Sequence, residues 1–169
     1  GTLGLLAGEE ISFADFGWTW LAWWLGDGMG VIVISPVLLT GFAMTRTVPL
    51  FFSATKALEA LILVVALTVA GQTIFGNPKF AGLDYFPASL SIFPFVIWSA
   101  LRFGTIGAAG VALIISLLAI NGTVQGVGPF AGNSSMNSLI LWCLFADLMS
   151  ITGLILAAVD SGRKKAVAA

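Results

Sequence analysis

Long apolar runs separated by short polar breaks dominate the chain. Five of them, at about 1.5 Å per residue, are long enough to cross roughly 30 Å of hydrocarbon. They cover 18–41, 57–75, 85–101, 103–120 and 138–159. Inside lipid each run must satisfy its own backbone polar groups, so the pattern predicts helices throughout. The expected fold class is all-α, a polytopic transmembrane helical bundle of about five spans.

The breaks predict the connections. "FAMTRTVPLFFSATK" joins the first two spans, and "GNPKFAGLD" is a Gly/Pro turn into the third. "RFGT" leaves almost no loop between the third and fourth, which predicts an antiparallel hairpin. "NGTVQGVGPFAGNSSMN" is the longest polar, Gly-rich connection and reads as a plain connector, with a mobile outer cap over a ligand pocket as the alternative. Pro36, Pro87 and Pro94 lie inside or at the start of spans and predict kinks, because proline removes a backbone donor.

Composition agrees with a bilayer as solvent. Hydrophobic residues make up 59% and charged residues 9%, against about 25% charged in a soluble domain. A net charge of -1 argues against nucleic acid as a partner. The single cysteine, Cys143, excludes an intramolecular disulfide, and the absence of histidine removes the usual zinc and acid–base sites. No metal, no cofactor and no catalytic set are expected, so this stretch of chain reads as a non-enzyme. The opening "GTLGLLAGEE" lacks the basic start of a signal peptide and reads as the tail of an earlier apolar segment. Residues 1–169 are therefore expected to be one integral-membrane domain, a fragment of a longer protein, with 160–169 starting a cytoplasmic linker.

Basic residues set the expected orientation. With the "DSGRKK" end inside, the same side holds Arg46, Lys56, Arg102, Arg163, Lys164 and Lys165. The opposite side holds Lys79 with Glu9, Glu10, Asp15 and Asp84. This predicts a multi-pass membrane protein with a cytoplasmic C-terminus.

The polar groups inside the spans carry the candidate chemistry. Trp20, Trp23, Trp24 and Asp27 recur at i, i+3, i+4 and i+7 and share one helical face. Asp27 lies about 14 Å beyond Trp18 at the helical rise, near the midplane. Asp147 falls at a similar depth in the last span. Charge at that depth is costly, so helices are expected to gather around these carboxylates. Glu59 and Arg102 are level at the cytoplasmic end and are the expected ion pair. Gly26 and Gly30 form a GxxxG pair, and Ala100, Gly104, Ala108, Ala112 and Ser116 form a small-residue stripe; both predict close helix packing. Asp27 is open to three roles at this point: a hydrogen bond between helices, contact with a ligand or ion, or proton transfer.

"WLAWWLGDGMGVIVISPVLL", "FPFVIWSALRFGTIGAAG", "GPFAG" and "TGLILAAVDSGRKK" together resemble the bacterial membrane-associated sensor family of the first MASE type. The resemblance covers nearly the whole chain. It implies an N-terminal sensory module of about eight helices, here the last five with the tail of the third, preceding a cytoplasmic histidine kinase, diguanylate cyclase or cyclic-di-GMP phosphodiesterase. It also marks Trp23, Trp24, Gly26, Asp27, Pro36, Trp98, Arg102 and Gly104 as matching family positions.

The resulting expectation is a sensory input module that binds an unknown small-molecule or membrane signal and relays it through the last helix to an output domain in cis. Trp23, Trp24, Asp27, Trp98 and Asp147 are its candidate sensing residues. Membrane lipids and a second copy, as a homodimer, are the other expected partners. A competing expectation is a transporter or channel component in which Asp27 and Asp147 line a cation or proton route.

Overall fold

The computed structural model describes residues 1–47, 54–80, 85–132 and 134–168. The 48–53 part of the first connection and Asp84 lie outside them. A short helix α1 (Thr2–Ala7) leads to α2 (Phe16–Met29). A π-helical turn (Gly30–Ile34) joins α2 to α3 (Ser35–Thr47). Then come α4 (Ala54–Phe75), the short α5 (Phe86–Ser89), α6 (Phe93–Val124) and α7 (Ser135–Ala168). Four stretches, Phe16–Phe42, Ala54–Phe75, Phe86–Val124 and Ser135–Val167, are long and apolar enough to cross a membrane.

The third of these is not straight. Gly104 adopts φ 64° and ψ -150°, a conformation open essentially to glycine, and breaks α6 into two arms. A Cβ on Gly107 would stand 2.7 Å from the Ser99 carbonyl oxygen, and one on Gly153 would meet both Val96 and Ala108. In a straight helix Val96 and Ala108 would be about 18 Å apart. The chain therefore folds back at Gly104, and the hairpin expected from "RFGT" is present. With it, the four stretches supply five crossings.

Bundle packing follows the logic of a lipid solvent. Large apolar side chains such as Leu61, Val65, Val69, Leu148, Ile155 and Val159 point outward. The interior holds large apolar residues such as Leu67, Phe75 and Met149 together with small or hydroxyl-bearing ones, among them Ser99, Ala108, Ala112, Ser116 and Ala157. The α6–α7 pair makes the most extensive contact. Trp142 donates its indole N–H to the Ser116 carbonyl at 3.0 Å across that seam. Ala100, Ala108 and Ala157 form a small core where Gly153 needs room.

Several packing expectations need correction. No atom lies within 4 Å of a Cβ built on Gly26 or Gly30, so the GxxxG pair makes no tight seam among the described residues. Gly104 also has open space around it; it is the hairpin turn and not a packing position. Close approach occurs instead at Gly71, against Leu118, and at Gly122, where a Cβ would fall 1.9 Å from the Phe75 carbonyl oxygen. Pro87 and Pro94 sit in the first turns of α5 and α6, where a missing N–H costs nothing, so they start helices instead of kinking them.

The connection from α6 to α7 also differs from a plain connector. Val127 donates to the Gly122 carbonyl at 2.9 Å and closes the end of α6. Gly126 and Gly128 take positive φ and turn the chain inward. Phe130 is then buried against Phe75, Phe86 and Phe145, with ring centroids 5.8, 6.0 and 5.0 Å away. The loop plugs that end of the bundle.

Candidate functional site

The site is built around the break in the first long span. In a regular helix the Ile32 carbonyl would accept from the N–H of residue 36. Residue 36 is proline, which has no N–H and whose ring crowds that carbonyl. The chain answers with a π-helical turn over Gly30–Ile34. Ser150 of α7, itself buried, donates its hydroxyl to the Ile32 carbonyl at 2.9 Å. A side chain from a neighbouring helix thus satisfies the group that proline left open. Neither the π turn nor Ser150 was legible as part of a site from the sequence; Pro36 was the signal.

One seam connects α2 to α7. Ala22 and Leu25 pack on Ile140 and Cys143, and Ser150 continues the same stripe of α7. Asp147 lies four residues after Cys143 and three before Ser150, so it belongs to that stripe. Its Oδ1 is buried and has no hydrogen-bond partner among the described residues. The parallel register of the contacts sets Asp147 level with the start of the π turn.

Asp27 occupies the other side of α2. It follows Leu25 by two residues, about 200° around the helix. Asp27, Trp20, Trp23 and Trp24 are all exposed. Among the described residues, helices therefore do not gather around Asp27 as expected: α1 borders it on one side and the flank of α7 on the other. The i, i+3, i+4, i+7 spacing set which residues share a face, but carried no information on which face meets a neighbour. With α1, the Trp–Asp face bounds a cleft of about 440 Å³ whose walls include Phe16, Trp20, Trp23, Trp24 and Asp27. A second cleft, about 280 Å³, lies between α2 and α7 and shares Trp23 and Asp27 with the first. Asp147 lines neither of these two clefts. Trp98 is on the surface of α6 and lines neither cleft.

At one end of the bundle, charged groups tie two helices, α4 and α7, to the hairpin turn. Arg102 and Glu59 of α4 form a two-pronged ion pair. Lys164 of α7 pairs with Asp160 at 2.5 Å and donates to the Leu101 carbonyl at 3.4 Å. That carbonyl belongs to the last turn before the break at Gly104, where helical acceptors lose their partners. α7 is therefore hydrogen-bonded to the hairpin at this end and to the π turn further along the helix.

Comparison with known proteins adds one finding. The family model MASE1 matches residues 1–164. No curated protein and no solved structure matches the chain. The chain, a multi-pass helical membrane protein, belongs to the MASE1 family of membrane-associated sensory domains commonly found in signalling proteins.

Proposed function

We propose that the chain is the sensory input module of a bacterial signalling protein, and that α7 carries its signal to a cytoplasmic output domain. The output is a histidine kinase or a cyclic-di-GMP enzyme in cis, and the working unit is a homodimer. Basic residues concentrated at the Arg102–Lys164 end support an inner-membrane protein with that end in the cytoplasm.

The observation that carries this reading is the Ser150–Ile32 hydrogen bond. It joins the output-proximal helix to an irregular turn that begins three residues after Asp27. π turns can shift register by one residue without breaking the helix, which makes them natural joints. An event at the Trp23–Asp27 face changes the helix before the turn, and the turn passes a displacement to α7. Only a difference in binding free energy between two packings is required.

The test is Ser150→Ala in the full-length protein, with output activity as readout. It should leave the output domain active and its response to signal lost. A response that survives intact would remove α7 coupling through the π turn from the reading.

A further inference from the structure

The cleft between α1 and α2 has an unusual wall. Its ionisable side chain is Asp27, and three indole rings, Trp20, Trp23 and Trp24, stand beside it. Asp27 lies about 16 Å along α2 from Phe16, where the first membrane-crossing stretch begins. Among the described residues no lysine or arginine side chain lines the cleft, and the ion pairs Arg102–Glu59 and Lys164–Asp160 both lie at the far end. A carboxylate at this depth calls for a cation.

We infer that this cleft binds an organic ammonium ion with an apolar body, Asp27 acting as its counter-ion and Trp20, Trp23 and Trp24 as its walls. This inference rests on the sensory reading, whose signal it names. The chemistry selects the class. An anion meets the carboxylate and is repelled. A neutral apolar molecule fills the space and leaves the charge unpaired. A small inorganic cation surrenders its hydration shell for one carboxylate and indole faces. A quaternary or alkylated ammonium is weakly hydrated and spreads its charge over methyl groups that indole faces attract. The volume of about 440 Å³ is that of a small-molecule site. The depth favours a free amphiphilic cation over a phospholipid, whose ammonium stays at the interface.

Equilibrium dialysis of benzyltrimethylammonium against the purified chain in maltoside micelles tests this. Neopentylbenzene, the neutral carbon isostere, is the control ligand. Wild type and Asp27→Glu should bind the cation saturably and bind the isostere much less. Asp27→Asn and Trp23→Ala should weaken cation binding by about tenfold or more. Trp18→Ala, whose ring lies outside this cleft, should leave it unchanged. Retained binding by Asp27→Glu and Trp18→Ala shows that losses elsewhere are local and not failures of folding.

Three results overturn the inference: no saturable binding by wild type, equal binding of the isostere, or an unaffected Asp27→Asn variant. Displacement of the probe by phosphatidylcholine also counts against it, because it assigns the cation to a lipid. Occupancy is measured independently of motion. Failure to bind removes the ligand class and leaves the Ser150 coupling standing. Binding that leaves α7 unmoved, read as inter-helix distances, removes the sensory reading and leaves the cation site.

Discussion

Ser150 donates to the carbonyl of Ile32, the one that Pro36 deprives of its helical donor. The bond spans 118 positions in sequence and closes a gap that the bilayer would otherwise leave open. Its removal should therefore cost more than a surface hydroxyl. Ser150→Ala is expected to destabilise the bundle by about 1–3 kcal/mol, the cost of a buried acceptor left unmet. Pro36→Ala restores an N–H at the correct spacing, so the serine should matter less in that background. A double-mutant cycle by unfolding in micelles checks this; simple additivity of the two changes would show that the residues are not linked.

Gly104 gives a second prediction. Its φ of 64° with ψ of -150° lies outside the range of L side chains. Gly104→Ala should lower stability by about 1–3 kcal/mol through strain at the hairpin turn. Gly110→Ala, in open space on the second arm, should be neutral or slightly stabilising because alanine favours the helix. Melting of the two variants side by side separates turn strain from a general intolerance of alanine.

Phe130 gives a third. It is 1% exposed and contacts three other phenylalanines. Phe130→Ala should cost about 3–5 kcal/mol, as expected for emptying a buried aromatic site. Gln125→Ala, exposed near the same loop, should change little. Equal effects in a thermal melt would mean that the loop is a connector and not a plug.

Orientation can be read directly. In a Cys143→Ala background, single cysteines replacing Lys79 and Arg163 report the two ends. A membrane-impermeant maleimide added to intact cells, with the outer membrane permeabilised, should label position 79 and spare position 163. Labelling of 163 alone would invert the topology.

What the sequence disclosed and what it hid have physical reasons. Run length marked the spans because backbone satisfaction in lipid forces long helices. The four residues of "RFGT" implied the hairpin, and the charges of Glu59 and Arg102 had to meet at the same level. Spacing showed that Asp27 and the tryptophans share a face, but helical periodicity says nothing about which face meets a neighbour. Ser150 resembles every other serine in an apolar helix until its acceptor is placed. Phe130 was hidden by its context, a glycine-rich loop whose positive-φ turns aim one ring inward.

The π turn follows the Asp27 helix and bonds to α7 through Ser150. Spin labels at Val65 on α4 and Val159 on α7, both exposed, measure the displacement by pulsed electron resonance in a Cys143→Ala background. Neutralising Asp27 with Asp27→Asn should shift the distance distribution when Ser150 is present. The same change should leave the distribution unmoved in Ser150→Ala. No shift with Ser150 present, or an equal shift without it, would contradict the account.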